Sequence, residues 1–191
     1  MGRTILLAVD AGTIDLTPDD YVFADALRRR GCEVGAVPWD APETIGPGAS
    51  VVVRSTWDYV DRVDEFLRWL DALDARGVAV HNPTDVLRWN VHKGYLLELA
   101  SAHVPVVPTE LVRRGSEAQL NEVLARRGWN DVVIKPAVGG TARLTEHSGR
   151  IGSDAAADHL ARLIDREDAI VQPVIESVAT DTSPASRLRP C

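Results

Sequence analysis

Short apolar runs rich in β-branched residues alternate with amphipathic stretches through residues 4–81, and no other feature constrains the fold as strongly. Thr4–Val9 (TILLAV) reads as a first strand. Thr17, Pro18, Asp19 and Asp20 then supply an N-cap, a proline at the first helical position and acids in the first turn. The helix they open is expected to turn Val22, Phe23, Ala26 and Leu27 inward and to stop at Gly31. Glu33–Pro38 is a second strand, 42–48 a loop and 50–54 (SVVVR) a third strand. Residues 61–76 carry apolar side chains at 63, 66, 67, 70 and 73, which is helical spacing, with Gly77 just past the end. Residues 78–81 make a fourth strand. A β-α-β-β-α-β order implies a parallel sheet with helices on its faces.

The second half has a different rhythm. Two helices are expected around 84–89 and 91–102. Strand at 106–107 and 110–112 is broken by Pro105 and Pro108. An amphipathic helix over 116–127 ends at Gly128, and 131–136 (DVVIKP) is strand followed by a glycine-bearing loop over 138–142. Ser153 is expected to cap a helix running to Arg166, and 168–175 (DAIVQPVI) is a last strand. The division between lobes is placed near residue 90, giving lobes at 1–89 and 90–178. From Ala179 the sequence ATDTSPASRLRPC has no apolar period and reads as a disordered tail. There is no internal repeat.

Composition excludes several classes. With 21 basic and 28 acidic residues the net charge is -7, which argues against nonspecific binding to nucleic acid or to an anionic membrane surface. No run of apolar residues is long enough for a transmembrane helix. The N-terminus reads as a strand rather than a signal peptide. Cys32 and Cys191 do not make a disulfide framework, so a reducing cytoplasm is the expected setting. Neither a phosphate-binding GxxxxGK[ST] loop, a GxGxxG after the first strand, nor a GxSxG elbow is present. His81, His92 and His103 are 11 residues apart. Within one helix that is about 16 Å of rise, too far for a shared metal, so no zinc site is expected.

The lysines carry the chemistry. Of 21 basic residues 19 are arginine, a skew typical of GC-rich coding, and the only lysines are Lys93 and Lys135. Lys135 lies inside an apolar strand, in VVIKPAVGGTAR, where an ammonium is costly unless it exits or is paired. Gly139 and Gly140 allow backbone N–H groups to approach phosphate oxygens, and Thr141 adds a hydroxyl. The plain alternative is a snorkelling lysine on an edge strand beside an ordinary turn. Lys93 is expected near the start of a helix, in WNVHKGYLLELA, where a solvated lysine is the usual finding. Gln172-Pro173 closes a strand, and the proline leaves backbone groups at 172–175 available to a planar ligand edge; a simple edge strand is the alternative.

Lys93, Lys135 with its glycines, and Gln172-Pro173, in this order and spacing, resemble the ATP-grasp superfamily. The likeness is to its glutathione-synthetase-like branch, near the cycloserine-biosynthesis-type and uncharacterised ligases. The segments RSTWDY with the helix that follows, HNPTDVLRWNVHKGYLLEL and VPVVPTELV resemble the same branch, so the likeness runs from the first strand to about Asp181. It implies a Rossmann-like parallel-sheet lobe followed by a small α+β nucleotide-binding lobe. It also implies that Lys93 and Lys135 contact the phosphates of ATP and that Gly139, Gly140 and Thr141 form a loop over them. Gln172 would face the adenine amino group, and the backbone of Val174 would complete the adenine contacts. A compact ammonium suits a phosphate cluster as a point charge, which gives a reason for lysine in an arginine-biased chain. Arg54 ends the third strand at the carboxyl edge, where open α/β sheets bind ligands, and is expected with residues 55–58 to touch the acceptor substrate; a purely structural arginine is the alternative.

The resemblance implies a ligase that activates a small carboxylate with ATP as an acyl phosphate for attack by an amine or related nucleophile. The family's last large lobe, with the carboxylates and asparagine that hold Mg2+, has no counterpart in this sequence. C-terminal truncation by a frameshift or a wrong gene end, with weak or no activity, is therefore the expectation, and a ligase split over two polypeptides is a further possibility. The competing reading from another class is a non-catalytic small-molecule-binding or interaction module. Loss of a lobe would expose apolar surface, which is compatible with a homo-oligomer.

Overall fold

A computed structural model describes residues 3–41, 45–46, 48–117, 119–140, 146–147 and 154–175. The chain divides into two compact units, Met1–Val91 and His92–Cys191.

The first unit is built on four strands, β1 (Thr4–Val9), β2 (Glu33–Pro38), β3 (Ser50–Val53) and β4 (Ala79–His81). They pair in parallel in the order β2-β1-β3-β4. β1 is central and covered on both faces, which is why its sequence is continuously apolar rather than alternating. Leu7, Ala8 and Val9 are fully buried. The chain leaves β1 to one side for β2 and returns past it to β3, so the strand order reverses between β1 and β3. The carboxyl ends of those two strands are the place where such sheets hold ligands.

Helix α1 (Pro18–Arg28) starts as its sequence dictates: Thr17 Oγ1 accepts the Asp20 N–H at 3.2 Å, and Pro18 opens the first turn. Gly31, at φ +82°, follows its end. The inward stripe is set differently from the expectation. Val22 is 67% exposed, whereas Asp20 and Ala24 are buried and Phe23 and Leu27 pack against the β1 core. Positions 20, 24 and 27 share one face of a helix, and 22 lies some 200° from 20. Helix α2 (Val63–Ala75) begins later than expected, because Trp57–Asp61 forms a 3-10 turn. It buries Trp69 as well as Phe66, Leu70 and Leu73. The Trp69 ring packs on Phe66 at 5.4 Å and on Trp39 at 6.0 Å. Helix α3 (Thr84–Val91) closes the unit.

The second unit contains α4 (Tyr95–Ser101), β5 (Glu110–Val112), α5 (Leu120–Arg127), β6 (Val132–Pro136), β7 (Glu146–His147), α6 (Asp154–Ile164) and β8 (Ala169–Pro173). Its strands are antiparallel in the order β5-β8-β6-β7. The short β7 was not expected from sequence. Each strand sorts its side chains by parity. Val132, Ile134, Ala169, Val171 and Val112 turn to one face and pack against Leu120, Val123 and Leu124 of α5 and Leu160 and Leu163 of α6. Val133 pairs with Gln172 and Lys135 with Ile170, so Lys135 and Gln172 share the opposite face. Gly128, at φ +66°, ends α5 with its N–H on Leu124 O. The capping role expected of Ser153 and the expected tail from Ala179 lie outside the described residues. Among the described residues no helix is long and apolar enough to cross a membrane.

Candidate nucleotide site

The site in the second unit is assembled around Lys93. The structure corrects one expectation here: Lys93 is not on a helix but in the turn between α3 and α4. That turn is held at three points. The Lys93 N–H donates to Ala137 O at 2.8 Å, and Ala137 N–H in turn donates to Asp168 O at 2.7 Å. The Lys93 ammonium donates to Gly139 O at 2.6 Å. The Gly94 N–H donates to His92 Nδ1 at 3.0 Å, a contact so close that a Cβ at position 94 would lie 2.8 Å from that nitrogen. Only glycine fits there without displacement.

His92 is fixed by its other nitrogen. With Nδ1 accepting, Nε2 carries the proton and donates to Asp168 Oδ2 at 3.2 Å. Asp168 also accepts from Arg113 at 2.8 Å and from the Arg114 N–H at 2.8 Å. Burial alone would raise the Asp168 pKa; the hydrogen bonds from the Arg114 N–H and from Arg113, with the Arg113 charge, outweigh it and hold the carboxyl below its usual range. Sequence reasoning weighed His92 only as a metal ligand and passed over Asp168, because their contact spans 76 positions.

Lys93 and Lys135 come together. Both are half-buried, and burial lowers the pKa of each. The like charge of Lys135 lowers Lys93 further, while Glu167 partly opposes it. No hydrogen bond or ion pair among the described residues joins either ammonium to a carboxylate. Gly140 follows with open space where a Cβ would stand. Thr141 lies outside the described residues.

Gln172 lies on the same sheet face as Lys135, two residue pairs along the ladder. β8 has neighbours on both sides, so it is not an edge strand. Gln172 is buried, and its Nε2 donates to Thr109 Oγ1 at 2.8 Å. The Val174 N–H donates to Asp131 O at 3.1 Å, so pairing continues past Pro173 and the 172–175 backbone is not wholly free; what remains to Val174 is its carbonyl.

Arg54 belongs to the first unit, directly after β3. Its Nε donates to Asp20 Oδ1 at 2.6 Å, and its guanidinium lies 5.2 Å from the Phe23 ring centroid. Asp20 is almost fully buried and also accepts from Ser55 Oγ and from Thr17 Oγ1. Burial pushes its pKa up, but the hydrogen bonds from Ser55, Arg54 and Thr17 outweigh that and hold it below its usual value. Helix α1 is thereby tied to the β3 loop. At the sheet's switch point Asp10 is also buried, accepting the Trp57 N–H at 3.2 Å, another residue that sequence reasoning passed over.

A parallel sheet of four strands, followed by an antiparallel unit with two converging lysines, defines a class: the fold is that of ATP-grasp proteins. It matches a RimK domain ATP-grasp protein of Sphaerobacter thermophilus with TM-score 0.63 and 19% identity, over 91% of this chain and 64% of that one. It matches a D-alanine–D-alanine ligase of Bacillus anthracis complexed with ATP with TM-score 0.66 and 11% identity, over 92% and 57%. The chain is similar to the cycloserine biosynthesis protein DcsG of Streptomyces lavendulae, 31% identical over 185 residues. Residues 5–82 match the family described as D-cycloserine synthetase DcsG, N-terminal domain. The crystal structure of D-cycloserine synthetase DcsG superposes with TM-score 0.81 at 30% identity over 92% of this chain. The chain spans 60% of the length of DcsG.

Proposed function

We propose that the second unit holds ATP and that the chain serves an ATP-dependent ligase that joins a small carboxylate to an amine or related nucleophile. The observation that carries this reading is the pair of half-buried lysines whose ammonium groups meet no carboxylate among the described residues. Two desolvated like charges repel and are costly alone; a polyphosphate repays both at once. Lys93, oriented by Gly139 O, and Lys135 would neutralise the phosphates, with Gly139, Gly140 and Thr141 closing over them. Gln172 and the Val174 carbonyl would meet the adenine edge.

In the reaction, a carboxylate oxygen attacks the γ-phosphorus and ADP leaves. The amine then attacks the acyl carbon and inorganic phosphate leaves. The lysines supply charge and position for the first step. The proposed division is a pre-ATP-grasp lobe at 1–89 and a nucleotide lobe at 90–178. Mg2+ is expected of such ligases, but the described residues contain no group of three side chains suited to a metal, and no step is assigned to it. Arg54 is proposed to meet the acceptor substrate through its terminal nitrogens, since its Nε is committed to Asp20. A cytoplasmic setting accords with the two cysteines.

Calorimetric titration with ATP tests the reading. Lys135→Ala and Lys93→Ala are each expected to weaken binding at least about tenfold, or ~1.4 kcal/mol. Unchanged affinity in Lys135→Ala would remove the nucleotide from this unit and favour a non-catalytic module.

A further inference from the structure

We propose that Thr109 is a positioning residue that fixes which end of the Gln172 amide faces a ligand, and so makes the site select purines bearing a 6-amino group. The inference rests on the nucleotide reading above and adds its base specificity.

The argument is one of hydrogen-bond polarity. The Thr109 hydroxyl donates to Val107 O at 2.8 Å, and a backbone carbonyl can only accept. With its proton committed, Thr109 Oγ1 can only accept from Gln172, so the amide nitrogen must be the end that approaches, as it does at 2.8 Å. Turning the amide over would set Oε1 against an oxygen with no proton to offer. Both residues are buried, where such a mismatch is not relieved by water. The relay therefore leaves Oε1 as the outward atom.

That atom is an acceptor without a partner. No donor among the described residues reaches Gln172 Oε1, and it is not one of the sealed, unpartnered polar atoms, which are Trp69 Nε1 and Ser116 Oγ. It stands on the sheet face that carries Lys135, two residue pairs along the ladder. An exocyclic amine satisfies it. A keto oxygen at the same place meets acceptor against acceptor, and sites built to pair with an N–H discriminate strongly against ligands that lack it.

Inosine triphosphate replaces the 6-amino edge of ATP by a keto edge and keeps the triphosphate and sugar. The experiment measures affinities of the full chain for ATP and inosine triphosphate by calorimetry, for wild type, Thr109→Val, Thr109→Ala and Thr109→Ser, each checked for folding by circular dichroism. Wild type is expected to favour ATP about tenfold or more. Thr109→Val, or Thr109→Ala should the first not fold, frees the amide to turn and is expected to cut the ATP-to-inosine ratio about fivefold or more. Thr109→Ser keeps the relay and the ratio. A merely structural role for Thr109 would weaken both ligands alike and leave the ratio unmoved, which would overturn the inference, as would a wild type that binds both equally. A wild type that binds neither overturns the nucleotide reading itself.

Discussion

Asp20 shows how far a residue's role can depart from its local signal. In sequence it is one of two acids in the first turn of α1, where an acid is favoured by the helix dipole. In the structure it is almost fully buried and gathers Arg54, Ser55 and Thr17. Its folded pKa is below the unfolded value of about 3.9. The stability it contributes is therefore fully present above that unfolded value and is lost as pH falls through the folded one. Asp20→Asn is expected to cost about 2–3 kcal/mol at neutral pH, because it leaves a guanidinium and buried hydroxyls poorly matched. In urea titrations at pH 7 and pH 3, the gap between variant and wild type should shrink at the lower pH. A gap that stays constant would mean that the carboxylate's charge is not what matters. For Arg54, the same contact commits its Nε to a structural tie.

At the scale of the element, the turn that bears Lys93 is the part of the site least visible in sequence. Its helical surroundings suggested that the residue rides on a helix, and a solvated helical lysine carries no information. The chain breaks there because Gly94 comes within hydrogen-bond distance of the preceding histidine ring, and because Ala137 and Gly139 take up the Lys93 N–H and ammonium. His92→Ala removes the acceptor for Gly94 and the link to Asp168. Hydrogen exchange at the Lys93 and Gly94 amides is expected to rise about tenfold or more, with ATP affinity falling several-fold and the secondary structure content unchanged. Asp168→Asn should give a milder form of the same effect. Unchanged exchange at both amides in His92→Ala would show that the Ala137 and Gly139 contacts suffice to hold the turn. The strands were easier to read: β1, β2 and β6 stand where apolar period and proline place them, whereas β7 is two residues long and has no pattern of its own.

Each of the two units has its own hydrophobic cluster, one around Ile5, Leu7 and Ala24 and one around Ile134, Leu160 and Val171. Leu7→Ala and Leu160→Ala are each expected to cost about 2–5 kcal/mol in denaturant unfolding, since both side chains are fully or almost fully buried. Hydrogen exchange followed by mass spectrometry should place the loss of protection mainly in the unit that holds the substitution. Loss spread evenly over both units would show that they unfold as one. The likeness to DcsG covers 91% of this chain and 60% of that protein. About two fifths of the relative's length therefore lies outside the likeness to this chain.

By itself the sequence determined the parallel sheet, because alternating strands and helices with few residues between them admit little else. It also singled out Lys93 and Lys135 by their rarity. Tertiary structure alone decided that the two lysines share one charge environment, that His92 and Asp168 hold one of them in place, and that Thr109 meets Gln172 across 63 positions. The reason is physical. Periodicity and caps act within a few residues, whereas desolvation and hydrogen-bond polarity depend on neighbours that only the folded chain brings together.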